Sequence, residues 1–308
     1  MLTGAATAIV WRMRSRCENG AMNYRHSFHA GNHADVLKHV TVLAICDALA
    51  AKPAPCFALD THGGRGLYSL AGEEARRTGE AAGGIELLRP GLDPAIDRLV
   101  DAVAACRERH GADAYPGSPW LLAHALREQD RIAACELQPE EAAALKANLG
   151  GDPRVAIHAR DGYAAMKALL PPRHGASRIH RGLVLVDPPY EAQRAEFDTA
   201  LTALADGMAR WPQGVYALWH PIKDARSLGA FHRAAARLPA RSALRIELLV
   251  RPADSPVRMN GSGMLVWNAP WQLDARLSPA LARLADALGE QRAGTFRLDW
   301  LRRDGEPA

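Results

Sequence analysis

Residues 56–66 read Cys56-Phe57-Ala58-Leu59-Asp60-Thr61-His62-Gly63-Gly64-Arg65-Gly66, an apolar run that ends in an acid and leads into a glycine-rich loop. A strand, an acidic residue and a glycine loop in this order open the nucleotide-binding βα units of α/β proteins, because glycine lets the backbone approach a ligand closely. Glycine-rich turns are common, so the flanking sequence has to decide whether this run belongs to a nucleotide-binding sheet.

The flanking sequence alternates short apolar runs with segments of helical periodicity. Further strands are predicted at 132–137, 155–159, 182–187, 214–219, 245–250 and 264–267, and helices at 32–51, 118–129, 139–149, 162–170, 193–210 and 224–237. Continuous apolar strands between amphipathic helices predict a mostly parallel sheet covered on both faces. The last two strands have no helix between them, which predicts a final antiparallel pair. The fold class is therefore a Rossmann-like α/β fold with a seven-stranded sheet.

Two segments do not fit this alternation. Residues 67–115 are too long for a βα loop, whose usual length is ~2–6 residues, and they contain a helical pattern over 97–109, so we expect an inserted helical subdomain. Residues 1–21 carry an apolar run followed by arginines, the reverse of a secretory signal, and we expect a disordered or non-native extension. Residues 22–66 and 116–308 would then form the Rossmann-like domain.

The composition of the 308 residues is that of a globular protein, with 48% hydrophobic and 23% charged residues. The net charge of +4 permits a polyanionic partner without requiring one. Five cysteines with no C-x-x-C spacing argue against a disulfide framework or a zinc site. No apolar run reaches ~18 residues, so we expect no membrane span and a cytoplasmic protein. The oligomeric state is not fixed by the sequence, with a monomer favoured.

Four strand ends carry polar residues, and parallel strands bring such ends into one crevice. Glu136 follows the loop by about 75 residues, against ~20 for a ribose-binding acid, but removing the insertion restores the spacing. It is predicted to bind a ribose, the alternative being a solvent-facing acid before a helix. Asp161, followed by Gly162, could accept a ligand amine or cap the next helix, and Ser118 before Pro119 is predicted to be an N-cap.

The fourth strand end, Asp187-Pro188-Pro189-Tyr190, is the most specific motif of the chain. An adenine N6 amine is a poor nucleophile because its lone pair is delocalised into the ring. The Asp187 carboxylate and the Pro188 carbonyl could each accept one N6 hydrogen and favour a localised lone pair. Tyr190 could stack on an extruded base. The motif predicts methylation of an adenine amine.

These motifs resemble one known family, the bacterial 23S ribosomal RNA (adenine-N6) methyltransferases called RlmJ. The resemblance spans about residues 22 to 271 and is carried by the run 23–39 (Asn-Tyr-Arg-His-Ser-Phe-His-Ala-Gly-Asn-His-Ala-Asp-Val-Leu-Lys-His), by 59–62, 115–119, 126–130, 187–190, 216–219 and 262–264. His220 departs from the family, which carries an aromatic residue there, and Arg65 adds a charge near the crevice.

The resemblance implies S-adenosyl-L-methionine as cofactor and 23S ribosomal RNA as partner. It implies Asp187 as the catalytic carboxylate, alongside Pro188 and Tyr190. Tyr24 and Lys38 are implied as RNA contacts. The cofactor contacts, with Gly64 of the glycine loop included, would be His39, His62, Gly64, Ser118, Glu136, Asp161, Gly162 and Asp187.

Several alternatives stay open. The histidines around Gly31 could suggest a metal, but no acid completes a ligand set, and we predict none. The same proline motif serves adenine methyltransferases that act on DNA or on another RNA. A nicotinamide-dependent oxidoreductase would use a similar sheet but has no need of the motif. A non-catalytic RNA-binding protein could retain the fold.

Overall fold

The computed structural model describes residues 26–190, 192–253, 255 and 259–305. Tyr24 and the predicted 1–21 extension lie outside these residues. The helices are α1 His33–Ala50, α2 Glu73–Thr78, α3 Pro94–His110, α4 Ser118–Ala125, α5 Pro139–Leu149, α6 Gly162–Leu169, α7 Gln193–Arg210, α8 Gly229–Ala236 and α9 Leu273–Leu288, with short 3-10 turns at His26–Phe28, Glu80–Gly83, Ile85–Leu87, Ala225–Leu228 and Glu290–Arg292. The strands are β1 Cys56–Asp60, β2 Leu67–Ser69, β3 Ala114–Pro116, β4 Arg131–Glu136, β5 Val155–Ala159, β6 Arg173–His174, β7 Ser177–Arg178, β8 Arg181–Val186, β9 Val215–Ile222, β10 Ala243–Leu249, β11 Gly261–Trp267 and β12 Thr295–Arg302.

The main sheet has the strand order β12-β10-β11-β9-β8-β1-β4-β5. Strands β5, β4, β1, β8 and β9 pair in parallel, whereas β11, β10 and β12 add antiparallel edges. The predicted Rossmann-like sheet with an antiparallel pair at its end is confirmed. The predicted count of seven strands was wrong: among the described residues the sheet has eight strands, because β12 extends it beyond β10.

Alternating residues of the central strands supply two cores, one on each face of the sheet. In β1, Cys56 and Ala58 belong to the core under α1, α3, α4 and α9, while Phe57 and Leu59 belong to the core under α6, α7 and α8. All five residues of β1 are buried. This two-sided burial explains why the strand is continuously apolar, and it brings the carboxyl end of β1 to the middle of one sheet edge.

Segment 67–115 begins and ends at the same place, because its first and last residues pair with each other. Strand β2 pairs with β3 in antiparallel fashion, with Leu67 opposite Pro116 and Ser69 opposite Ala114. Between them, α3 packs against α1 and α9. A helical excursion closed by a small ribbon is compatible with an inserted subdomain, and the domain boundaries stay a prediction.

Two helix starts test the expected caps. Asn32 caps α1, since its side chain accepts hydrogen bonds from the backbone N–H groups of Ala34 and Asp35. The cap predicted at Ser118 was wrong: Gly117 is the N-cap of α4, and Ser118 is already the first helical residue. Across the described part of the chain, none of the helices is long and apolar enough to cross a bilayer.

Candidate active site

A cavity of about 430 Å³ opens at the carboxyl ends of β1, β4, β5 and β8, within the ~300–1,000 Å³ of small-molecule sites. Every predicted cofactor contact lines it: His39, His62, Gly64, Ser118, Glu136, Asp161, Gly162 and Asp187. Lys38 and Pro189 line it as well. The structure therefore brings these residues together from six separate segments of the chain.

The glycine loop and the end of β4 are tied to each other. The backbone N–H of Gly64 donates to Glu136 Oε2 at 2.9 Å, and that of Gln138 donates to Oε1 at 2.7 Å. Gly64 has a φ of +56°, and a Cβ there would collide with the Tyr68 hydroxyl, so only glycine fits. Burial raises the pKa of Glu136. These two backbone hydrogen bonds therefore fix the orientation of the Glu136 carboxylate at the cavity wall.

Asp60 lies deepest at this edge and was not in the predicted set. It is fully buried, and its Oδ1 accepts a hydrogen bond from the His62 backbone N–H at 3.2 Å. Its Oδ2 has no hydrogen-bond partner among the described residues. Burial raises the pKa of Asp60 to about 6, although a hydrogen bond from Ser118 opposes the shift. Asp60 is therefore a buried carboxyl that is short of hydrogen-bond partners among the described residues.

Asp161 takes one of the two roles that the sequence left open, the helix cap, and its contact with a ligand amine stays a prediction. Its side chain caps α6 by accepting the Ala164 backbone N–H at 2.7 Å, and it also lines the cavity. A Cβ on Gly162 would collide with the backbone carbonyl of Thr61, so glycine lets α6 begin directly against the β1 loop. Both residues are therefore fixed at the cavity wall by local backbone contacts.

Lys38 joins two carboxylates beneath the cavity. Its Nζ lies 2.6 Å from Asp187 Oδ2 and 2.8 Å from Asp35 Oδ1, and only 4% of the residue is exposed. Burial alone would lower the pKa of Lys38, but Asp187 and Asp35 hold it well above its usual range. Burial likewise opposes the low pKa of Asp35, which His26 and Lys38 maintain. Lys38 is therefore a buried ammonium, and its predicted contact with RNA stays a prediction.

Two histidines of the predicted set are neutral, His39 being buried and His62 half-buried. Burial lowers the pKa of His39 to about 3 and that of His62 to about 4. His39 Nδ1 lies 2.9 Å from the Tyr115 hydroxyl, whereas its Nε2 has no hydrogen-bond partner among the residues that the structure describes. His62 Nδ1 lies 2.7 Å from the Thr61 hydroxyl. His39 thus presents an unused polar atom at the cavity.

The residues of the proline motif extend from the cavity wall into the protein core. Pro188 is buried and Pro189 borders the cavity. Tyr190 is half-buried and does not line the cavity; its hydroxyl donates to the Trp219 carbonyl at 2.5 Å. Its ring contacts those of Phe197 and Trp219. The motif therefore anchors the loop after β8 to β9, and the stacking role of Tyr190 stays a prediction.

Three further residues of the cavity wall were not predicted from the sequence: Leu137, Tyr163 and Glu196. Leu137 is 52% exposed and lines the cavity directly after Glu136, which gives an apolar surface beside the carboxylate. Tyr163 donates its hydroxyl to Glu196 Oε1 at 2.6 Å, and both residues line the cavity. An exposed leucine after a strand-end acid was readable from the sequence, whereas the pairing of Tyr163 with Glu196 needs the packing of α6 on α7.

Known proteins resemble this chain over most of its length. A family model described as "Ribosomal RNA large subunit methyltransferase D, RlmJ" matches residues 53–302. Ribosomal RNA large subunit methyltransferase J of Haemophilus influenzae is 36% identical over 285 residues, which cover 91% of this chain and 99% of that protein. The protein of the same name in Escherichia coli is 36% identical over 282 residues, with the same shares. The crystal structure of protein LPL1258 from Legionella pneumophila superposes with a TM-score of 0.78 at 28% identity, over 88% of this chain and 98% of that one.

Proposed function

The chain belongs to the RlmJ family of ribosomal RNA large subunit methyltransferases, and from this premise we propose that it methylates the N6 amine of an adenine in 23S ribosomal RNA. The observation that carries the proposal is the place of Asp187, which lines the same cavity as the glycine loop and Glu136. A carboxylate at this position can address a substrate amine next to a bound nucleotide-like cofactor.

The cofactor in this proposal is S-adenosyl-L-methionine, which supplies an electrophilic methyl group when bound. Glu136 presents its carboxylate to the two ribose hydroxyls, and Leu137 offers an apolar surface to the adenine ring. The unpartnered Nε2 of His39 and Oδ2 of Asp60 are orphaned polar atoms beside the cavity that suit the polar amino-acid end. His62, Gly64, Asp161, Gly162 and Ser118 complete the contacts.

Asp187 and Pro188 orient the target amine in the proposed reaction. Lys38 holds Oδ2 of Asp187 at 2.6 Å, so Oδ1 is the oxygen offered to the amine. Asp187 and the Pro188 carbonyl each accept one N6 hydrogen, which directs the nitrogen lone pair toward the methyl carbon. Tyr190 stacks on the base after its side chain rotates toward the mouth of the cavity. No metal takes part in this scheme.

The substrate side of the cavity is formed by the segment before and within α1. Tyr24 and Lys38 are proposed to meet the RNA there, with Lys38 acting through the Asp187 carboxylate. The inserted segment 67–115 is proposed as a subdomain beside the methyltransferase domain of residues 22–66 and 116–308. The protein would act on RNA in the cytoplasm as a monomer.

Mapping of N6-methyladenosine in 23S ribosomal RNA tests the proposal. Cells that lack this protein should lose one mark, and the wild-type chain should restore it. Asp187→Ala should not restore it, while binding S-adenosylmethionine within about tenfold of wild type, because the carboxylate acts on the substrate amine. Asp198→Ala, on the exposed face of α7, is the matched control and should restore the mark.

Two results would count against the proposal. One is an unchanged set of N6-methyladenosine marks in the deletion strain. The other is full restoration by Asp187→Ala, or by Asp187→Asn, which keeps the shape of the side chain but removes its charge.

A further inference from the structure

A second group of ligand-type side chains lies outside the lining of the cavity. His220, His232 and Glu247 are all buried, and one potential ligand atom of each lies within 4.8 Å of the others. His220 comes from β9, Glu247 from β10 and His232 from α8, which covers this face of the sheet. Three neighbouring elements of the chain therefore converge on one point.

The sheet register builds the site around a glycine. Gly263 of β11 lies opposite His220 on one side and opposite Glu247 on the other, so these two side chains share one face of the sheet. A Cβ on Gly263 would collide with His220 Nε2. The missing side chain leaves room for the imidazole and the carboxylate to approach each other.

The ligand atoms are poorly satisfied for such a buried place. His220 is fully buried, and its Nε2 has no hydrogen-bond partner among the described residues. His232 Nε2 lies 3.2 Å from Glu247 Oε1, with 9% and 11% of these side chains exposed. An unpaired polar atom is destabilising in a protein interior, so an unpaired ring nitrogen at this place indicates a ligand that the site would hold.

We propose that His220, His232 and Glu247 form a Zn²⁺ site. Two imidazoles and one carboxylate are a known zinc ligand set, with a fourth position left for water. Ligand atoms around tetrahedral zinc lie about 3.3 Å apart, which the His232–Glu247 pair already matches. A small rotation of His220 closes the set, and the partial exposure of His232 and Glu247 gives the ion a path from solvent.

Arg245 and Asp299 form the surroundings of the proposed ion. Arg245 donates through Nη1 to His232 Nδ1 at 3.0 Å, on the far side of the ring from Nε2, and it is held by two hydrogen bonds to Asp299. Zinc on Nε2 places the ring proton on Nδ1, so the contact with Arg245 opens while the Asp299 pair stays.

Zinc binding to the untagged full-length protein tests this site, with Zn²⁺ alone as the probe. After equilibration with Zn²⁺ and removal of the free ion, elemental analysis should give about one zinc per wild-type chain, and the melting temperature should rise with zinc concentration. His220→Phe and Glu247→Gln should bind zinc at least about tenfold more weakly. His220→Phe is expected to fold, because the Phe197 and Phe231 rings already contact the His220 ring.

His174→Gln is the matched control, since His174 is exposed on the β6–β7 hairpin. It should retain wild-type zinc binding. Wild-type protein that binds no more zinc than His220→Phe would overturn the proposal. Equal binding by all four chains would also overturn it, because the ion would then lie elsewhere.

Discussion

A fully buried aspartate lies at each end of strand β1, Asp130 just before β4 and Asp60 as the last residue of β1, and their hydrogen-bond partners differ. At the amino end, Asp130 accepts the Cys56 backbone N–H at 2.8 Å and a second N–H from Arg127. At the carboxyl end, Asp60 has one oxygen with no partner among the described residues. The pKa follows this difference: hydrogen bonds from Arg127 outweigh burial and lower that of Asp130, whereas burial raises that of Asp60 to about 6.

Arg127 supplies many of the hydrogen bonds at the amino end of β1. Its guanidinium donates to both oxygens of Asp130 and to the backbone carbonyls of Ala50, Lys52 and Ala54. This amino-end clamp ties the end of α1 to the start of β1. Among the described residues no comparable clamp holds Asp60 at the carboxyl end, and the loop 61–64 that follows it lines the cavity. A buried acid with every partner in place stabilises the fold, whereas one left short of partners indicates a ligand site.

The largest effect is expected at the amino end. Asp130→Asn should lower the free energy of unfolding by about 3–5 kcal/mol, because both buried carboxylate oxygens accept N–H groups and the amide NH2 would place a donor against a donor. An acid with a lowered folded pKa contributes stability above its ordinary value near ~4, so this deficit should shrink as the pH falls below about 4. Urea unfolding at several pH values measures it. Asp101→Ala, exposed on α3, is the control and should change stability by less than ~0.5 kcal/mol.

The same substitution at the carboxyl end, Asp60→Asn, should raise the free energy of unfolding instead of lowering it. The folded pKa of Asp60, about 6, lies above its ordinary value, so the wild type loses stability as the pH rises from about 4 to 6. Asp60→Asn does not titrate and should be more stable by roughly 2–3 kcal/mol at pH 8, with little gain at pH 4. Urea unfolding without cofactor measures this. A pH-independent difference would contradict the unsatisfied state of Asp60.

A smaller effect is expected on cofactor binding at the carboxyl end, where Glu136 can be tested separately from protein stability. Glu136→Gln should raise the Kd for S-adenosylmethionine about tenfold or more, because a charged acceptor of the ribose hydroxyls is lost. Calorimetric titration measures the change. Glu141→Gln is matched in size and also lines the cavity, but its carboxylate pairs with Arg65. Equal losses of affinity in both variants would argue against ribose binding by Glu136.

The sequence predicted the parts of this picture that depend on local pattern. The β1 run, the cavity-lining acids and the antiparallel last pair follow from apolar continuity and strand-end chemistry. The pairing of Lys38 with Asp187 joins residues 149 positions apart, and no local pattern contains it. Helix α9 and strand β12 were missed because α9 contains Pro279 and β12 is a half-exposed edge strand with charged residues. The cap at Ser118 was wrong because Gly117 takes that position.

Methyl transfer in a purified system tests the central claim most directly. The wild-type chain, labelled S-adenosylmethionine and unmodified 23S ribosomal RNA should yield N6-methyladenosine at a single site, identified by nucleoside chromatography and mapping. Asp187→Asn should lower the rate by about 10²–10³. Label in another nucleoside, in duplex DNA but not RNA, or at an undiminished rate in the variant would contradict the account.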